Sequence, residues 1–187
     1  MLVQGDRGRR HIPAGWSRAL LEPVDVAPLV VFRVCFGALL LCEVWRYFVH
    51  GWITRYWVEP TFHFTYHGFS WVRPWPDAGM YVHFVALGVL AACILLGFCY
   101  RVATVLFFLG FAYVFLLDQT HYLNHFYLIV LLAFLLVFVP ADRAGSLDAR
   151  LWPARRAGTA PAWTLWLLRA QIAITYVYAG LAKLTPD

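Results

Sequence analysis

Residues 79–117 read GMYVHFVALGVLAACILLGFCYRVATVLFFLGFAYVFLL, and this stretch decides the fold. Arg101 is its one Asp, Glu, Lys or Arg residue, and it divides two apolar segments at about 79–98 and 102–117. About 20 apolar residues are enough for a helix to cross a hydrocarbon layer of about 30 Å. The stretch therefore predicts two membrane-crossing helices that turn back near Arg101.

The rest of the chain continues this pattern. Hydrophobic residues make up 62% of the sequence, aromatic residues 18% and charged residues only 13%, which excludes an ordinary soluble domain. Further apolar segments lie at about 27–49, 126–140 and 161–182. The shorter segments 102–117 and 126–140 are expected to extend into LDQTHYLNHF and form a helical hairpin there. We predict an all-α fold, a polytopic transmembrane helix bundle with about five spans.

Two regions flank or interrupt the spans. Residues 1–26 are basic and lack the apolar core and cleavage site of a signal peptide, so we expect a cytoplasmic N-terminal segment followed by a transmembrane domain at 27–187. The connection 50–78 is rich in aromatic residues. Its tryptophans suit the interface between membrane and water, because each combines an apolar ring with one polar N–H group.

The arginines predict the orientation of the spans. The formal net charge is +5, and most arginines lie in the connections between apolar segments, a pattern typical of membrane orientation and not of nucleic-acid binding. With the N-terminus inside, the inner side carries Arg7, Arg9, Arg10, Arg18, Arg101, Arg143, Arg150, Arg155 and Arg156. The outer side carries Arg46, Arg55 and Arg73. The connection 50–78, the turn near Asp118 and the end of the last span then face outward.

The last span carries a polar stripe. Arg169, Tyr176 and Lys183, the only lysine of the chain, are spaced seven residues apart and fall on one helical face. Charged residues within a span usually face the bundle interior or a cavity. Gly180, one turn before Lys183, would allow a backbone or a ligand to approach closely. Lys183 is therefore either an anchor at the helix end or a desolvated neutral amine that serves as a base or a nucleophile.

A second polar group lies in LLDQTHYLNHFYL at residues 116–128. If this stretch is helical, Asp118, His121 or Tyr122, and His125 share one face. Asp118 could then fix the tautomer of a histidine, the three could bind a metal, or the stretch is a polar interfacial turn with a helix cap. His63 and His67, four residues apart in the connection 50–78, are expected to be solvated or interfacial.

Arg33 in VFRVCFG lies about seven residues into the first span, which also contains Glu43 and Arg46. We consider two interpretations: an ion pair within the bundle, or an arginine that faces a substrate.

Three motifs carry a resemblance to a known family. FRVCFG, LLDQTHYLNHFYLIVLLAF and LRAQIAITYVYAGLAKL resemble segments of the vitamin K-dependent gamma-glutamyl carboxylases, whose membrane part is also called the horizontally transferred transmembrane domain. The resemblance covers about residues 27–184. The family's lysine that deprotonates vitamin K hydroquinone corresponds to Lys183, and its second lysine is replaced here by Ala182. The family's Asn-His pair near the catalytic centre corresponds to Asn124 and His125.

The resemblance implies an activity. Reduced vitamin K, a naphthoquinol, would be the cofactor, with oxygen and carbon dioxide as co-substrates and a peptidyl glutamate as the carboxylated group. Lys183 and His125 would be catalytic, and Asn124, Asp118, Arg169 and Tyr176 would bind substrate or cofactor. We expect no metal. The resemblance places the site on the outward face of an integral membrane protein, which we expect in a bacterial inner membrane.

Other functions remain open at the level of sequence. Family members continue with further membrane segments and a large soluble part, so we expect the carboxylase-like domain to be truncated at its C-terminus. A quinone-handling redox protein without carboxylation is one alternative. A non-enzymatic membrane assembly or immunity factor is the other.

Overall fold

The computed structural model describes residues 14–76 and 78–184. Its α-helices are α1 (Ala14–Leu21), α2 (Ala27–Val49), α3 (Gly79–Leu96), α4 (Tyr100–Leu117), α5 (Asn124–Phe138), α6 (Leu147–Leu151) and α7 (Ala162–Ala182). The strands β1 (Pro23–Asp25) and β2 (Thr159–Pro161) pair antiparallel. Single helical turns occur at Thr54–Val58 (π) and at Gln119–His121 and Pro153–Arg155 (3-10). Residues 1–13 of the expected cytoplasmic segment lie outside the described residues.

The predicted all-α polytopic bundle is confirmed. Helices α2, α3, α4 and α7 are long and apolar enough to cross a membrane, and α5 is a shorter apolar helix of 15 residues. Neighbours in sequence pack side by side from α2 through α5, and α7 lies against α5. The short strand pair joins the residues before α2 to those before α7, so both helices begin at the same end of the bundle.

The helix directions define two ends. At the aromatic end, α2, α4 and α7 finish and α3 and α5 begin, and the connection 50–78 covers this end. At the arginine-rich end, α2, α4 and α7 begin, and the connections 97–99 and 139–161 lie there. Asp118 and Lys183 therefore belong to the aromatic end, as the alternation of spans predicts.

The turn between α3 and α4 at the arginine-rich end is closed by a carboxylate. Gly97 adopts a φ of 64°, in the left-handed region that favours glycine. Asp148 of α6 accepts hydrogen bonds from the backbone N–H groups of Cys99, at 2.8 Å, and Tyr100, at 2.9 Å. A buried side chain thus satisfies the free N–H groups that begin α4, which stabilises the helix start.

Arg33 is fully buried and does not form the ion pair considered from the sequence. Its Nη2 donates a hydrogen bond of 2.6 Å to the backbone oxygen of Gly145, in the connection after α5. Glu43 instead pairs with Arg46 one turn further along α2, at 2.8 Å. Arg33 lies near the start of α2 and Glu43 ten residues later, so the rise of the helix separates the two side chains.

The pair α2–α3 has the most extensive contact of the bundle, and it depends on a glycine. A Cβ atom at Gly37 would lie 2.7 Å from both the backbone N and the Cα of Leu95. The helices can approach this closely because Gly37 has no side chain, as is common between helices in membranes. Gly88, on α3 in the same interface, has more room: a Cβ there would lie 3.4 Å from Cγ1 of Val44.

We expect Gly37→Ala to destabilise the protein by about 1–3 kcal/mol, because the added methyl group overpacks a backbone that cannot move alone. Gly88→Ala is the matched control, and it should change stability by less than about 0.5 kcal/mol. Thermal unfolding of both variants in the same detergent measures the difference. Equal midpoints for the two variants would contradict the close approach of α2 and α3.

Candidate functional site

An aromatic cavity of about 250 Å³ lies at the aromatic end of the bundle. It forms where α2 and α4 finish, α5 begins, and the connection 50–78 folds over them. The cavity is lined by Tyr47, Trp52, Tyr56, Trp57, Phe111, Val114, Phe115, Asp118, Thr120, His121, Tyr122, Leu123 and Phe126. Aromatic rings form most of this wall, and the polar groups come from residues 118–122.

The backbone after α2 brings the aromatic rings together. Gly51, at a φ of 63°, reverses the chain, and the π-helical turn that follows directs Trp57 back toward α2. The ring of Tyr47 lies 5.4 Å from that of Trp57 and 4.7 Å from that of Phe84. All three side chains are buried. This packing gives the cavity a fixed apolar wall.

Asp118 provides the polar centre of the site. Its backbone is extended, and its side chain caps the 3-10 turn that follows α4. Oδ1 accepts hydrogen bonds from the backbone N–H of Thr120, at 2.8 Å, and from its hydroxyl group, at 2.7 Å. Oδ2 lies 3.4 Å from Nδ1 of His63 and 3.9 Å from Nδ1 of His121. One carboxylate therefore lies between two imidazole rings.

The electrostatic balance keeps Asp118 ionised. Burial by itself raises the pKa of the carboxyl group, but the hydrogen bonds from Thr120 and His63 and the charge of His121 outweigh it. The net result is a pKa below the ordinary value for aspartate. At neutral pH, Asp118 is thus a negatively charged acceptor with ordered donors around it.

The hydrogen bonds define the tautomer of His121. The hydroxyl of Thr120 has one proton, which it donates to Asp118, so it can only accept from Nδ1 of His121 at 3.2 Å. Nδ1 of His121 then carries the proton, and Nε2 is the atom with a free lone pair when the ring is neutral. The His121 ring packs 4.4 Å from Tyr56 in the cavity wall. The result is an oriented imidazole beside an apolar cavity.

A polar groove of about 730 Å³ lies on the other side of Trp57. It is formed by the connection 50–78 together with Gln119 and contains His63 and Arg73. A backbone hydrogen bond of 2.8 Å from Gln119 to Phe64 holds this connection against the turn after α4. The Asp118–His63 contact therefore links the aromatic cavity to the polar groove.

The structure corrects two expectations about the histidines. Residues 118–125 do not form one helix, because Tyr122 and Leu123 are extended between the 3-10 turn and α5. His125 is therefore separated from Asp118 and is exposed beside Phe126, at 4.5 Å between rings. His63 is not a solvated interfacial residue; 11% of its side chain is exposed, and it contacts Asp118.

The other predicted site residues lie outside the cavity lining. Asn124 is the first residue of α5 and is exposed. On α7, Arg169 lies over the ring of Trp166 at 5.6 Å, and Tyr176 is exposed. Lys183 caps the end of α7 with its backbone N–H bonded to Gly180. None of these four residues lines the aromatic cavity, and not all of them lie in the aromatic half of the molecule. Their roles stay predictions.

Gly180 has no close neighbour in the part of the chain that the structure describes. A Cβ atom there would meet nothing within 4 Å. The expected approach of another backbone to α7 therefore does not occur among residues 14–76 and 78–184. In the same residues, no group of three or more His, Cys, Asp and Glu side chains is arranged to hold a metal ion.

Sequence reasoning did not identify Trp57, His63 or Thr120 as site residues. Thr120 could be found from its spacing to Asp118, because a capping carboxylate followed by Thr two residues later is typical of a turn. His63 is 55 residues from its partner. Only its place in an aromatic segment expected on the same membrane side as Asp118 indicated that the two could meet.

Together the fold and the cavity define an integral membrane protein: a bundle of apolar helices with an aromatic pocket and an aspartate–histidine group at one end. The family model of the HTTM domain matches residues 21–187. The chain therefore belongs to the HTTM family, whose domain is that of the vitamin K-dependent gamma-carboxylases. No solved structure matches the chain.

The lowered pKa of Asp118 predicts how stability depends on pH. The folded state binds its proton less readily than the unfolded chain, so the contribution of Asp118 is complete above the reference value of 3.8 and is lost as pH falls through the lower folded value. We expect Asp118→Asn to lower stability at pH 7 by about 1–3 kcal/mol. The difference from the native protein should shrink below about pH 4.

Thermal unfolding in detergent over a range of pH measures this difference. Glu59→Gln, an exposed carboxyl group in the connection 50–78, is the control and should match the native protein throughout. A gap between Asp118→Asn and the native protein that does not change with pH would show that Asp118 contributes only through its shape.

Proposed function

We propose that this protein is a membrane enzyme of the vitamin K-dependent carboxylase and epoxidase type, acting with a reduced naphthoquinone. The observation that carries the proposal is the aromatic cavity together with an unpartnered donor on Trp57, one of the residues that line it. Trp57 is buried, and its Nε1–H has no hydrogen-bond partner in the part of the chain that the structure describes. A buried donor of this kind favours a ligand that brings an acceptor oxygen.

The residues of the cavity fit a fused aromatic ring with oxygen substituents. Flat rings such as Tyr47 and Phe126 offer stacking and edge contacts to such a ring system. Trp57 would donate to one ring oxygen, and the polar side at Thr120 and His121 would contact another. A volume of about 250 Å³ is slightly below the roughly 300–1,000 Å³ of pockets for drug-sized ligands. It suits a head group, while an isoprenoid tail would extend into lipid.

A bound reduced naphthoquinone supplies the electrons with which oxygen is activated, and the protein must supply a base. His121 is one candidate base, because Thr120 and Asp118 hold its ring with Nε2 free. The negative Asp118 would stabilise the imidazolium that forms when Nε2 takes a proton. The apolar wall excludes water that would compete for the proton.

Lys183 is the second candidate base, supported by the family resemblance of YAGLAKL and by topology. It lies at the end of α7, and α7 packs against α5, which begins with Asn124 and His125 at the same end of the bundle. We propose that Lys183 takes the proton from the quinol and that His125 and Asn124 orient the glutamate and carbon dioxide. Arg169 and Tyr176 would bind substrate along the same stripe. The arginine distribution supports an outward-facing site, and we propose that the membrane is a bacterial inner membrane.

We expect Trp57→Phe to weaken naphthoquinone binding about tenfold, because the variant keeps the ring and removes the unpartnered donor. Calorimetric titration of the purified protein with a short-tailed naphthoquinone measures the dissociation constant. Trp52→Phe is the matched control, since Trp52 also lines the cavity and its Nε1 is not among the buried unpartnered atoms. Equal affinity of the two variants for naphthoquinone would show that Trp57 is not the donor.

Activity separates the two candidate bases and the alternative functions. Membranes that contain the native protein receive reduced vitamin K, oxygen, labelled bicarbonate and a glutamate peptide, and both quinone epoxide and peptide label are followed. We expect epoxide and label in the native protein, and a loss of about 100-fold or more in Lys183→Ala. His121→Ala tests the other base, with the exposed His67→Ala as its control.

Each pattern of products has one meaning. Loss in His121→Ala but not in Lys183→Ala assigns the base to the cavity and returns Lys183 to a helix-end anchor. Epoxide without label indicates quinone oxygenation without carboxylation. Neither product in the native protein, with naphthoquinone binding retained, contradicts the enzyme and leaves a quinone-binding membrane protein.

A further inference from the structure

We propose that the arginine-rich end contains a binding site for the phosphate head group of an anionic phospholipid. The site, named here the arginine cleft, is a depression of about 550 Å³. It is lined by Arg101, Pro140, Asp142, Arg143, Ala154, Arg155, Arg156 and Ala157. These residues come from the start of α4, the segment after α5 and the turn before β2, so the fold itself assembles the cleft.

Two of the four arginines are fixed by the backbone. Nη1 of Arg101 donates to the carbonyl of Val137 at 2.9 Å, and Nη1 of Arg143 donates to that of Thr159 at 3.0 Å. A guanidinium group has five N–H donors, so each keeps further donors after this contact. Fixing the side chains in advance reduces the entropy lost when they bind a ligand.

The positive charge of the cleft is not balanced among the described residues. Salt bridges in residues 14–76 and 78–184 involve Arg46, His63 and His121, and none involves an arginine of the cleft. Asp142 is the one acidic residue in the lining; it is 8% exposed, and its charge acts on the buried Arg33. Four guanidinium groups around one depression repel each other, and a bound anion relieves this repulsion.

The position of the cleft favours a lipid over a soluble anion. Arg101 is the second residue of α4, and Pro140 follows closely on the end of α5, so the cleft lies where two apolar helices leave the hydrocarbon. Leu151 and Trp152 are exposed beside it, and Arg155 lies over the Trp152 ring at 5.4 Å. An exposed leucine and tryptophan at this depth suit the interface with acyl chains.

Arginine is also the cation best suited to this ligand. Its planar guanidinium group binds two phosphate oxygens at once, whereas an ammonium group acts as a point charge. Basic pockets at the ends of spans are a known means of binding anionic head groups. The cleft therefore does more than orient the spans. It contacts individual lipids of the leaflet at the arginine-rich end.

The test uses the purified full chain in a neutral detergent, titrated with phosphatidylglycerol or with phosphatidylcholine. Native mass spectrometry counts bound lipid, and thermal unfolding measures stabilisation. We expect phosphatidylglycerol to bind and to raise the midpoint, and phosphatidylcholine to do neither. The double variant Arg155→Ala/Arg156→Ala should bind phosphatidylglycerol roughly 25-fold more weakly, since each basic residue near an anionic surface contributes about fivefold in affinity.

The matched control is the double variant Arg18→Ala/Arg150→Ala. It removes the same charge from the same end of the protein, but neither residue lines the cleft. Equal loss of phosphatidylglycerol binding in both double variants would overturn the site in favour of general surface charge. Inorganic phosphate that competes with the lipid at millimolar concentration would overturn the choice of a lipid head group. Neither result bears on the aromatic cavity, whose ligand is tested by the binding of naphthoquinone.

Discussion

The hydrocarbon interior of a membrane offers no water to polar groups, and this constraint determines where the chemistry of the protein can lie. Within α4, the hydroxyl of Thr104 donates to the carbonyl of Tyr100, and the hydroxyl of Tyr100 reaches the carbonyls that end α5. Both of these hydroxyl groups are thus bonded to carbonyls near a helix end. Ionised groups with several partners occur at the two ends, around Asp118 and Asp148.

Both aspartates accept hydrogen bonds from backbone N–H groups in a turn, but they differ in their remaining partners. Both oxygens of Asp148 accept hydrogen bonds from backbone N–H groups of the α3–α4 turn, so its role is structural. Oδ1 of Asp118 accepts hydrogen bonds from Thr120, whereas Oδ2 faces the two histidines. The second arrangement keeps charge available beside a cavity. This difference in partners, and not the presence of a buried carboxylate, makes the aromatic end the candidate site.

The sequence was sufficient for the spans because their length and composition follow directly from the thickness of the hydrocarbon layer. For Asp118 it offered His121 or Tyr122 as a neighbour, and the structure brings His121 to 3.9 Å within one turn. It was not sufficient for His63, whose position depends on how the connection 50–78 folds over the bundle. It misplaced His125, because the prediction continued the helical period through Leu123. The backbone at Leu123 is in the extended conformation. Local periodicity predicts faces well only within an unbroken element.

The length of α5 connects the two ends. Its 15 residues give a helix of about 22 Å, shorter than the hydrocarbon layer of about 30 Å. With the proposed arginine cleft held at the head groups beside Pro140, the mismatch falls at the other end of α5. Asn124 and the neighbouring aromatic cavity then lie below the level of the head groups on their own side. A lipid-soluble ring would then reach the cavity sideways from the acyl chains, while His63 lies in the polar groove on the other side of Trp57. Asp118 lines the aromatic cavity and contacts His63 of the polar groove, so at the proposed quinol site it would offer a released proton a polar route out of the cavity.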